Sequence, residues 1–224
     1  MTQTWHDLLF AHWRIDVELL RARVPRTLDL DLYSGEAWLG IVPFHMTNVA
    51  PRAVPSIPWV SAFPELNVRT YVRVRDKPGV YFFSLDAGNP LAVGAARALF
   101  HLPYYTAGMT VDVTGNRVKY RSRRRRHGAA VFVAEYQPTG PASPPAPGSL
   151  EAFLTERYCL YAVDSGDGVH RLEIHHPPWP LQPAEASITA NGMADAAGLR
   201  LPPAAPLLHF AKRQDMVAWR MTTV

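Results

Sequence analysis

From Glu65 onward the chain sets a carboxyl, an amide, two guanidinium groups and a phenol at every second position: Glu65, Asn67, Arg69, Tyr71 and Arg73. In an extended strand, residues two apart share a face, so these side chains stand together while Leu66, Val68, Thr70, Val72 and Val74 stand opposite. Such a row suits a small molecule carrying a carboxylate. A guanidinium grips the carboxylate through paired hydrogen bonds, and the carboxyl of Glu65 gives or takes a proton. The competing account is a solvated sheet face, because charged side chains are mostly exposed.

Other chemistry-bearing residues are less organised. His170, His175 and His176 lie close together, but no HExxH or cysteine-rich spacing accompanies them, so hydrogen-bonding imidazoles are expected rather than a metal site. Arg121, Arg123, Arg124, Arg125 and Arg126 form a basic run beside Tyr120, which could track phosphates and stack on a base. In a strand alternate arginines point to opposite faces, which favours a solvated hairpin end with one arginine turned inward. Cys159 sits in apolar surroundings with no adjacent cation and reads as a buried thiol. No GxSxG, Walker A or GxGxxG motif occurs.

The elements that must position these residues are mostly strands. A short helix, Val17 to Val24, is capped by Asp16 and stopped by Pro25. Leu28 to Leu32 and Ala37 to Phe44 suggest a hairpin, and residues 50–58, with three prolines, a loop. The Glu65 to Val74 strand pairs with Val80 to Leu85. Val93 to Leu102 has helical spacing and Pro103 ends it. Met109 to Val113 and Arg117 to Arg123 form another hairpin, followed by a strand from Ala129 to Tyr136. Residues 138–149 are a proline-rich internal loop, and Ser149 caps a short helix to Thr155. Arg157 to Val163 and Val169 to His175 form a further hairpin, and a last strand runs from Leu207 to Trp219. The pattern is α+β, dominated by antiparallel sheet that curls to hide its edges, in one domain spanning residues 1–224.

Composition bounds the rest. Nearly half of the 224 residues are apolar, enough for a sizeable core. The net charge of +4 is local to the arginine run. A single cysteine excludes an internal disulfide, and the opening residues lack a leader pattern, so a cytoplasmic protein is expected. There are only three lysines, Lys77, Lys119 and Lys212, each in a setting that predicts solvent exposure.

Seven motifs in order, LLFAHW (8–13), VPRTLDLD (24–31), FPELNVRTYV (63–72), GVYFFSLDA (79–87), ARALFHLPYY (96–105), FLTERYCLY (153–161) and IHHPPWPLQPAE (174–185), resemble the YqjF-like family of the acetoacetate decarboxylase-like superfamily. The resemblance implies a cone-like double β-barrel with a few short helices, a ligand pocket inside, and a homo-oligomer. In the decarboxylase an Ala-Val-Gly-Arg-Glu-Leu helix leads into Tyr-Pro-Lys-Lys, whose first lysine forms an imine and whose second depresses its pKa. Here the stretch reads Gly94 to Leu99 and then Leu102-Pro103-Tyr104-Tyr105. A phenol cannot make an iminium, so decarboxylation through a Schiff base is not expected. The second acidic position of the decarboxylase falls near Gly40.

What the resemblance implies for the site is Glu65 and Tyr104 as catalytic groups, with Asn67, Arg69, Arg97, Tyr105 and Tyr120 around the substrate. No metal or cofactor enters that chemistry. A cofactor-free proton transfer on a small oxo-acid or carbonyl compound, and a non-catalytic binder or sensor using the same pocket, both remain open. A nucleic-acid interaction through residues 121–126 is the less favoured alternative.

Overall fold

A computed structural model describes the chain except for residues 51–60, 92, 95–101 and 126–129. Twelve strands form one mixed sheet: β1 (Thr2–Ile15), β2 (Asp29–Leu30), β3 (Ala37–Ala50), β4 (Phe63–Val74), β5 (Lys77–Ala87), β6 (Tyr104–Thr114), β7 (Arg117–Arg124), β8 (Val131–Pro138), β9 (Cys159–Val163), β10 (Val169–His175), β11 (Gln182–Asn191) and β12 (Leu207–Thr223). The described residues include the short helices α1 (Val17–Arg21), α2 (Leu150–Thr155) and α3 (Met193–Ala196). The expected mainly antiparallel α+β architecture is present, with parallel pairing among the described residues only where β5 meets β6 and β9.

The sheet closes on itself. β4 pairs with β3, β3 with β1, β1 with β12, β12 with β10, β10 with β9, β9 with β5, and β5 returns to β4. A second lobe, β6–β7–β8–β11, spans from β5 to β12. The strands shared by both lobes are covered on two sides. In β4, Leu66 and Val68 enter the main core with Val118, Tyr120 and Phe132, while Glu65, Asn67 and Arg69 face the interior of the ring. The polar face of β4 is therefore not a solvated sheet surface.

Bulges decide which residues reach that interior. Along β1 the register against β3 slips between His6 and Ala11, where Asp7 takes φ +52°, so that Trp5, Leu8 and Phe10 all face inward despite their odd spacing. β3 slips at Asn48, φ +56°, which brings Val49 to the same side as Val42, Phe44 and Met46. On β5, Phe83 is the extra residue between the Val68↔Ser84 and Arg69↔Phe82 pairs, so Val80, Phe82 and Leu85 share the interior face.

Several expectations change. The 28–32/37–44 hairpin does not form: β2 pairs with β4, because β3 has both edges occupied by β1 and β4. α1 ends at Arg21, whose guanidinium reaches forward to the carbonyls of Val24, Pro25 and Leu28; Asp16 Oδ1 caps its start by accepting from Leu19 N. β1 has no counterpart in the pattern reading, since a strand buried on both faces shows no alternation. β11, rich in Ala and Ser, carries weak strand propensity. The helix over 93–102 and the 50–58 loop fall largely outside the described residues.

Candidate functional site

The ring encloses a cavity of about 300 Å³, walled mainly by apolar side chains from every strand of the ring and from the start of β6. Its polar groups gather at two poles. At one stands Glu65, 4 % exposed, whose Oε2 accepts a hydrogen bond of 3.1 Å from Tyr104 Oη. Burial pushes the Glu65 carboxyl up to about 8. The Tyr104 hydrogen bond pulls it down and the charge of Asp86 pushes it further up. Tyr104 itself is held well above the ordinary phenol range by burial and by the neighbouring carboxyl. At neutral pH this pole is an uncharged acid pair.

Behind this pole lies a buried ion pair. Arg124 Nη2 and Nε donate to Asp86 at 2.7 and 3.1 Å, and its guanidinium lies 3.9 Å from the Tyr105 ring centroid. Burial raises the Asp86 carboxyl and Arg124 works against that shift. Tyr120, completely buried, donates to the Glu65 backbone carbonyl at 2.7 Å and so fixes the strand beneath the carboxyl.

The other pole is cationic. Arg69 Nη2 donates to the Leu154 carbonyl at 3.0 Å, and its guanidinium lies over the rings of Phe10 and Tyr71 at 5.4 and 5.9 Å. Among the described residues its buried Nε has no hydrogen-bond partner, and no carboxylate lies within ion-pairing distance. Arg157, just after α2, also lines the cavity and is paired with Asp31 at 2.6 Å, a carboxylate that Arg73 shares from the outside. Behind Arg69, His12 Nε2 meets Tyr71 Oη at 2.7 Å; burial and the Arg69 charge push its pKa well below the usual range. A Cβ on Gly40 would stand 3.1 Å from the His12 ring and 3.3 Å from Arg69 Cγ, so this position has no room for an acidic side chain unless its neighbours move. Between the poles sits Asn67, 5 % exposed, whose Oδ1 has no hydrogen-bond partner among the described residues.

Of the residues expected around the site, Glu65, Asn67, Arg69 and Tyr104 line the cavity together. Tyr105 and Tyr120 do not: the alternation of β6 turns Tyr105 onto Arg124, and Tyr120 is a core residue that holds backbone. Arg97 lies outside the described residues. Arg157 and His176 are cavity residues that pattern reading did not place there. His176 is buried, with Nδ1 2.8 Å from the Pro177 carbonyl, and burial lowers its pKa. No local signal marks either residue, because the turns that carry them reach the cavity only through ring closure. All three lysines lie away from the cavity, pairing with Glu173 (Lys77), Glu135 (Lys119) and Asp7 (Lys212). Among the described residues no cluster suits a metal ion, and His170 instead meets Asp164 at 2.7 Å. In the arginine run Arg124 turns inward while Arg121 and Arg123 face solvent; Arg126 is outside the described residues. No helix among the described residues is long and apolar enough to cross a membrane.

Comparison with known proteins places this geometry. Solved structures sharing the fold include an acetoacetate decarboxylase, with a TM-score of 0.69 at 14% identity, covering 100% of this chain and 89% of that one. The enduracididine biosynthesis enzyme MppR complexed with pyruvate gives 0.66 at 13% identity over 99% and 89%. An acetoacetate decarboxylase-like enzyme from Sphingomonas wittichii RW1 gives 0.64 at 14% identity over 100% and 92%. These likenesses establish the fold. The "Uncharacterized protein YqjF" of Bacillus subtilis (strain 168) is 49% identical over 219 residues, 98% of this chain and 90% of the relative. The family model DUF2071, "Uncharacterized conserved protein", matches residues 2–215, and the chain belongs to this YqjF-containing family.

Proposed function

We propose that the chain binds a small carbonyl compound in the ring cavity and polarises it for proton transfer. The observation that carries this reading is the buried Glu65 carboxyl, protonated at neutral pH and hydrogen-bonded by Tyr104 inside an apolar cavity. A neutral acid pair of this kind donates to a carbonyl oxygen and to the enolate that develops from it. Its titration near 8 lets Glu65 exchange a proton close to physiological pH. Arg69 takes a carboxylate of the same ligand. MppR, complexed with pyruvate in a structure of the same fold, supports a small oxo-acid class. The three lysines sit in outside ion pairs, which argues against imine chemistry and for enolisation or isomerisation without cofactor.

A second reading, a non-catalytic binder, is favoured by the hydrogen-bond partner of the Glu65 side chain at the acid pole, a phenol whose pKa is held well above its ordinary range. One experiment separates the two. Oxo-acids and ketones are incubated with the protein in D2O, and loss of protons α to the carbonyl is followed by NMR. The enzyme reading expects wash-out above the buffer rate, reduced at least tenfold in Glu65→Gln. Ligand-induced thermal stabilisation without wash-out leaves the binder. We also carry over self-association from the superfamily likeness, to be checked by light scattering.

A further inference from the structure

The spacing of the two poles limits which carbonyl compound fits. Glu65 and Arg69 are four residues apart on one strand, roughly 13 Å at the backbone. Their side chains also have different partners. The groups that act on Glu65 are Tyr104 and Asp86, whereas Arg69 acts on Tyr71 and His12 and bonds the Leu154 carbonyl. Between the poles, level with Asn67, the cavity wall is apolar: Val42 of β3 and Leu85 of β5 are its paired neighbours. The only polar side chain on β4 in that span is Asn67.

Size argues the same way. At about 30 Å³ per water, a cavity of about 300 Å³ holds roughly ten waters' worth of ligand, so a three-carbon oxo-acid would leave much of it unfilled. Charge argues for an anion at the far end. Arg157 is paired with the buried Asp31, which Arg73 shares, whereas among the described residues Arg69 has no carboxylate partner and keeps a buried Nε without a hydrogen bond. Among the described residues the cation nearest the acid pole, Arg124, is engaged by Asp86 behind it.

Resting on the pocket reading above, we infer that the ligand is an elongated, amphiphilic oxo-acid or its hydroxy counterpart. Its carboxylate sits at Arg69, its oxygen function sits at Glu65 and Tyr104, and an apolar spacer of several carbons lies between. In such a molecule the carbonyl is too far from the carboxylate for decarboxylation, and proton exchange next to the distal carbonyl is the chemistry left to the site. Asn67 suits a polar substituent along the spacer.

The test is calorimetric titration of the purified full chain with pyruvate, levulinate, and eight- and twelve-carbon acids bearing the ketone at the far end. The eight-carbon methyl ketone lacking the carboxylate completes the set. The expected result is a Kd at least tenfold lower for the eight-carbon oxo-acid than for pyruvate or levulinate. It should also be at least tenfold lower than for the ketone lacking the carboxylate, a preference lost in Arg69→Gln. Pyruvate or levulinate binding as tightly as the longer acids would overturn the inference while leaving the pocket reading intact. Equal affinity of the wild-type protein for the ketone with and without carboxylate would overturn the cationic pole. Failure of every compound to bind would overturn the pocket reading itself.

Discussion

Glu65 carries the largest consequence of burial at the residue scale. Its carboxyl titrates near 4.5 in the unfolded chain and about 8 when folded, so the folded state holds this proton more tightly. Stability from this group is therefore greatest below the unfolded value and falls as pH rises through the window between the two. Glu65→Gln removes that dependence. Its stability relative to wild type should rise by on the order of a few kcal/mol between pH 5 and pH 8.5, read as a growing difference in Tm. Tyr104→Phe acts oppositely on the titration itself. The phenol steadies the carboxylate form, so its removal moves the Glu65 midpoint above 8, visible in carboxyl-carbon NMR. A midpoint near 4.5 in the wild type would remove the basis of the acid pole.

The seam between β5 and β6 couples the acid pole to the core at the element scale. Asp86 of β5 and Arg124 of β7, almost wholly buried, form an ion pair that spans β6, and Tyr105, paired with Asp86 at the seam, packs on the guanidinium. Removing one partner leaves an uncompensated buried charge. Arg124→Met should destabilise the protein by about 3–5 kcal/mol in urea unfolding, and the double variant with Asp86→Asn should recover part of that loss. Asp86→Asn alone should lower the Glu65 midpoint, because the Asp86 charge is one of the forces raising it. Pattern reading located β4, its partner β5 and the hairpin β6–β7, whose alternation and turns are local features. It did not find β1, although that strand supplies Trp5, Leu8 and Phe10 to the cavity. A strand buried on both faces carries no period of two, and the left-handed Asp7 breaks what period there is.

Ring closure is what creates the cavity at the scale of the whole molecule. The parallel contact of β5 with β9 completes the ring, and Gly79 makes it possible: a Cβ there would lie 2.7 Å from Tyr161 Cε2 and 2.9 Å from the Cys159 carbonyl. Gly79→Ala should cost about 1–3 kcal/mol by overpacking and should weaken ligand binding along with stability. Unchanged unfolding midpoints in that variant would show that the seam relaxes freely. The sequence by itself determined that Glu65, Asn67 and Arg69 share one strand face and that Cys159 is buried. These follow from residue type and short-range spacing. Only the tertiary structure decided that the β4 face is enclosed, that Arg124 rather than its neighbours turns inward, and that Tyr105 and Tyr120 support the site without lining it. It alone brought Arg157 and His176 to the cavity. Those outcomes depend on bulges that reset side-chain parity and on pairings between strands far apart in the chain, which local periodicity does not encode.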